Sequence, residues 1–184
     1  MQRRRLILVL CSLALLLLAV GCGEESPERK AERAFLSAMV PHHQSAIEMA
    51  EGAQGRLQDR RLREIQDSIT ETQAAEIRQM ERIHERLFGE ELQPNEGAHM
   101  QLGLSAKEAG MDHMDGMESL RRSPPPADRA FIAEMVPHHR GAVAMAQAVL
   151  RRSRDGELRK LAGEIVSSQQ REIATMKKIG KRRS

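Results

Sequence analysis

The feature that most constrains this chain is a repeat at a fixed offset of 96 residues. "MVPHHQSAIEMA" begins at Met39, and "MVPHHRGAVAMA" begins at Met135. Phe35, Met39, Pro41, His42, His43 and Met49 return as Phe131, Met135, Pro137, His138, His139 and Met145. The correspondence continues without a gap, since Leu62, Ile65, Gln73, Glu76, Ile77 and Met80 return as Leu158, Leu161, Gln169, Glu172, Ile173 and Met176. A period of this kind marks a duplicated structural unit.

Each unit reads as two helices. The first runs from about Pro27 to Gln54, with Ser26 as N-cap and Pro27 at the first helical position. "EGAQG" supplies the turn. The second runs from about Gln58 to Phe88, carries Leu62, Ile65, Ile69, Met80 and Leu87 on one stripe, and stops at Gly89. The second copy spans about Ala127 to Ser153 and Glu157 to Ile179, with "RDG" at the turn. No strand pattern is present. Amphipathic hairpins cannot bury their stripes alone, so two of them predict an all-α four-helix bundle around one core. The chain then divides into a leader over 1–21, a first hairpin over 22–88, a connector over 89–126 and a second hairpin over 127–184, with 22–184 as one bundle domain.

A proline inside a helix costs about 3 kcal/mol, because it lacks an N–H and crowds the carbonyl four residues back. At Pro41 that carbonyl belongs to Ser37, and at Pro137 to Ala133. The spacing predicts a kink or local tightening, or else a proline in the first turn of a new helix. Met39 and His43 share one face, and His42, Ala46 and Met49 the next. Gln73, Glu76 and Met80 lie on the stripe of the partner helix. A buried carboxylate needs a partner. Glu76 and Glu172 therefore either pair with motif histidines in a structural network, or orient imidazoles that bind a metal.

The donor types define which metal. Met39, His42, His43, Met49 and Met80, with Met135, His138, His139, Met145 and Met176, form a thioether and imidazole set suited to copper. Gln73, Glu76, Gln169 and Glu172 would support it from behind. Ca²⁺ and Mg²⁺ want more oxygen. A di-iron centre wants Glu-x-x-His on two helices; Glu81 and His84 have that spacing, but their counterparts are Lys177 and Gly180. The connector offers a second copper candidate in a segment expected to be mobile, with His99, Met100, Met111, His113, Met114 and Met117. Its methionines read equally well as a helical stripe covering the bundle.

The N-terminus reads as a leader. "MQRRR" precedes the apolar run "LILVLCSLALLLLAV" and then "AVGCG". The run is short for a membrane span, and small residues before Cys22 match a lipoprotein processing site, which would leave lipid on Cys22. Removing it takes Arg3, Arg4 and Arg5 and leaves 26 basic and 26 acidic residues, so the basic pI carries no nucleic-acid signal. With Cys11 in the leader and Cys22 lipidated, no thiol remains for zinc, iron–sulfur or nucleophilic chemistry. No nucleophile–base pair, phosphate loop or cofactor fingerprint points to an enzyme.

The pattern "F…MVPHH..A..MA" followed by "Q..EI..M", present twice, resembles the family catalogued as domain of unknown function 305. That resemblance implies a ferritin-like four-helix bundle, export from the cytoplasm and, in some members, copper binding or tolerance, without an established enzymatic activity. It places the family motif on Met39, His42, His43, Met49, Gln73, Glu76 and Met80 and on their counterparts in the second copy. Gly141 replaces Ser45 within the motif and should loosen its helix slightly. The expected function is a lipid-anchored, extracytoplasmic copper binder or buffer. Its rival is a structural or partner-binding bundle held by buried His–Glu pairs without metal.

Overall fold

The computed structural model describes residues 25–114 and 116–182. The leader and Cys22 lie outside the described residues. Helix α1 spans Pro27–Gly52, α2 Arg60–Phe88, α3 Gly116–Arg122, α4 Asp128–Leu150 and α5 Gly156–Gly180, with short 3-10 segments at Glu96–Leu102 and Met111–His113. No strand occurs among the described residues. Helices α1 and α2 form one hairpin, α4 and α5 the other, and the hairpins meet through α1 against α4 and α2 against α5.

Local chemistry sets the helix ends. Ser26 accepts a hydrogen bond from the Arg29 amide at 3.2 Å, with Pro27 opening α1. Asp59 and Asp155 cap α2 and α5 by accepting from the amides of Arg61 and Leu158. Gly89, at φ 71°, closes α2 in the left-handed conformation that glycine adopts without penalty.

Neither motif proline interrupts its helix, so the reading of a new helix starting there is overturned. The Ser37 carbonyl released by Pro41 accepts a hydrogen bond from the Asn95 amide of the connector at 2.8 Å. Ala133, whose carbonyl Pro137 releases, is exposed to water. The Ser37 carbonyl thus regains a partner, which reduces the cost of Pro41.

The core has two halves related by the repeat. One gathers Met39 and Met80 from the first copy with Met145 from the second. The other gathers Met135 and Met176 with Met49. Because α1 and α4 run in opposite directions, each copy contributes to both halves. The hairpins are also tied across their ends by a pair of equivalent carboxylates. Asp128, 1% exposed, accepts from the amides of Gln58 and Asp59 in the first hairpin's turn. Glu32, 2% exposed, accepts from the Ser153 hydroxyl in the second hairpin's turn at 2.6 Å.

The connector is folded onto the bundle rather than loose. The first 3-10 segment and α3 both pack on α1, and the second 3-10 segment packs on α4. Leu92, Ala98, Leu102 and Ala109 enter one half of the core and Leu120 the other. The expected mobile segment is therefore corrected: these apolar side chains anchor it.

Asp128→Ala takes this acceptor from the amides of Gln58 and Asp59, and we expect a loss of about 1 kcal/mol, measured by urea unfolding. Unchanged stability would contradict the cross-hairpin tie.

Candidate metal centre

The two Pro-His-His segments meet where α1 crosses α4. The rings of His42 and His138 lie with centroids 3.7 Å apart and planes at 32°. His43 and His139 flank them, at 6.5 and 6.3 Å from their sequence neighbours. All four imidazoles are buried. They form a polar layer between the two thioether groups, since residues 42 and 138 lie between the methionines of their own helices.

The outer histidines are paired. His43 Nε2 is 2.8 Å from a Glu76 carboxylate oxygen, and His139 Nε2 is 2.7 Å from Glu172. The Ser68 hydroxyl donates to Glu172 at 3.3 Å. Each carboxylate draws the ring proton to Nε2, which leaves the Nδ1 lone pair free. Nδ1 of both rings is buried without a partner. This is how a carboxylate fixes the tautomer of a metal-binding histidine, and it is equally a satisfied structural pair.

The inner pair is more unusual. Among the described residues, both ring nitrogens of His42 and both of His138 lack a hydrogen-bond partner, as do the amide oxygens of Gln73 and Gln169. Unpartnered buried polar atoms are rare, and each calls for an explanation. Burial, and then the proximity of the other histidines, holds His42 and His138 well below the ordinary imidazole pKa of 6.5. The carbonyls of Ala109 and His138 offset part of this for His42 without reaching hydrogen-bond geometry. Neutral imidazoles with free lone pairs are metal donors.

Met39, Met49, Met80, Met135, Met145 and Met176 are each fully buried. Among the described residues, no group of three or more His, Cys, Asp or Glu side chains is placed to hold a metal ion. Thioether donors suit a soft cation better than a hard one.

The connector closes the layer from one side. A Cβ on Gly141 would overlap the backbone of Ala109 and Gly110. Gly110, at φ 69°, lies against the backbone of His138. The missing side chain of Gly141 admits the connector. At the equivalent position Ser45 donates its hydroxyl to the Met114 carbonyl at 2.8 Å. Both contacts were invisible in the sequence, where the replacement read only as a slight loosening of the helix.

The six connector residues do not act as one group. Buried His99 hydrogen-bonds through Nδ1 to the Glu96 carbonyl at 2.6 Å, and Met100 is 67% exposed. Met111 packs against one half of the core and Met117 against the other. His113 lies 3.2 Å from Glu134. Met114 and Met117 line a surface groove with Glu48 and Glu118.

Because folding depresses the His42 and His138 pKa values, the unfolded chain takes up the extra protons below pH 6.5. Their contribution to stability is full above that pH and falls as pH drops, by up to about 1.4 kcal/mol per pH unit for each ring. Urea unfolding between about pH 7.5 and pH 5 should show this slope, and His42→Leu with His138→Leu should flatten it. A wild-type slope in the double variant would show that other groups cause it.

The family model described as "Domain of unknown function (DUF305)" matches residues 28–180. Among solved structures, CopM in its Cu(II)-bound form is 28% identical, with a TM-score of 0.68 over 83% of this chain and 97% of that one. CopM in its Cu(I)-bound form is also 28% identical, with a TM-score of 0.67 over 82% and 96%. A DUF305 fragment from Deinococcus radiodurans is 32% identical, with a TM-score of 0.68 over 83% and 96%. A DUF305 protein from Streptomyces coelicolor, named as secreted, is 28% identical, with a TM-score of 0.69 over 79% and 89%. Uncharacterized protein L153 of Acanthamoeba polyphaga mimivirus is 36% identical over 52 residues, 28% of this chain, and the match spans about a third (34%) of its length. With its family model covering most of its length and its helical fold shared with these structures, the chain belongs to the DUF305 family.

Proposed function

We propose that this protein binds copper outside the cytoplasm, as a buffer or carrier and not as an enzyme. The observation that carries the reading is the inner histidine pair, with four unpartnered ring nitrogens in a layer bounded by two sets of three buried thioethers. The likeness to CopM, solved with Cu(I) and with Cu(II), supports it. His42, His43, His138 and His139 would supply nitrogen, and Met39, Met49, Met80, Met135, Met145 and Met176 sulfur. Glu76 and Glu172 would hold the outer rings in their tautomer. The second reading is a metal-free structural bundle, favoured by the two His–Glu hydrogen bonds and by the complete burial of the sulfurs.

Replacing His42 and His138 by Leu separates the readings. An ion at a hundred times its dissociation constant adds about 2.7 kcal/mol to the unfolding free energy. The wild type should melt higher with Cu(I) under reducing conditions, and the Leu double variant should fold but lose that rise. No copper-induced rise in the wild type, with the double variant destabilised, would establish the structural reading.

Tethering by lipid on Cys22 belongs to the same proposal. It is supported by the short apolar run before "AVGC". Cys22→Ser should leave an unprocessed leader and abolish lipid labelling. An unmodified Cys22 thiol in the mature wild type would overturn it.

A further inference from the structure

A groove of about 320 Å³ opens on the surface where α3 lies on α1, lined by Glu48, Met114, Met117 and Glu118. The motif thioethers are sealed in the core, whereas Met114 and Met117 are only half-buried and reach solvent. Glu48 is exposed on α1, and Glu118 accepts from the exposed Arg122 at 2.8 Å.

The α3 end beside the groove rests on the motif helix. A Cβ on Gly116 would overlap the sulfur of Met49, so the absence of a side chain there lets α3 rest on that atom. A Cβ on Gly52 would lie 3.2 Å from Met117 Cγ. Two glycines thus bring the outer methionine, one residue from Gly116, close to the buried Met49. Met49 packs in turn with Met135 and Met176. The segment above is latched by the Ser45 hydrogen bond to the Met114 carbonyl.

We propose that this groove is an outer docking site for a soft monovalent cation, Cu(I) or Ag(I), and the point at which the ion enters the bundle. The proposal rests on the copper-binding reading above. Two thioethers favour such an ion over hard divalent cations. The two carboxylates raise the local cation concentration and do not need to bind tightly. Docking at Met114 engages the segment that must move aside before Met49 and the histidine layer can be reached.

The test is the rate at which purified protein takes Cu(I) from a coloured chelator complex, followed by stopped-flow absorbance. Met114→Leu with Met117→Leu should load at least about tenfold more slowly at unchanged apo melting temperature, since Leu and Met are close in volume. Glu48→Gln should slow loading less and weaken its dependence on salt. Met100→Leu removes an exposed thioether outside the groove and should load at the wild-type rate. Wild-type loading by the groove double variant, or equal slowing by Met100→Leu, overturns the docking site and leaves the copper reading standing. No copper uptake by the wild type overturns both.

Discussion

Burial holds the two stacked imidazoles of His42 and His138 toward their neutral form, and the rest of the structure is arranged around that pair. Water is excluded from both stacked rings, and Glu76 and Glu172 reach only the outer pair. The inner pair has no proton acceptor or donor to satisfy it. A sequence selected for stability alone would place Leu there. Retaining two such rings, each beside a helix-interior proline, costs stability.

The two prolines and the connector belong to the same arrangement. Pro41 removes a helical hydrogen bond just before the histidines, and the connector returns one through Asn95. The connector then crosses the bundle, passes over Gly141 and reaches Ser45. Positions 45 and 141 are equivalent in the repeat yet differ in residue, because one connector must serve both sides of a nearly symmetric core. A hydroxyl binds it on one side, and a missing side chain makes room on the other.

Much of this was legible in the sequence. The repeat, the four long helices and their caps at Ser26 and Gly89 follow from periodicity and local chemistry. So does the pairing of Glu76 and Glu172 with motif histidines, because a carboxylate on an apolar stripe needs a partner close by. What remained hidden depends on contacts between distant segments. The stacking of His42 on His138 needs the antiparallel crossing of α1 and α4. The carboxylate ties at Glu32 and Asp128 join residues 121 and 69 positions apart. The docking of the connector depends on scattered residues such as Ala98, Ala109 and Leu120, which have no periodic pattern.

The crossing of the thioethers between copies bears on how such a chain could arise. Met39 and Met80 find their third companion in Met145, and Met135 and Met176 find theirs in Met49. A protein with a single repeat would hold only fragments of each sulfur set and would expose the face that α1 turns toward α4. It would reach the arrangement seen here only as a symmetric homodimer, with its own acidic residue clamping the turn of the other subunit. The duplicated chain carries both halves of such an arrangement in one polypeptide. Fusion releases the two halves from identity, and the difference between Ser45 and Gly141 is a divergence that a homodimer could not encode.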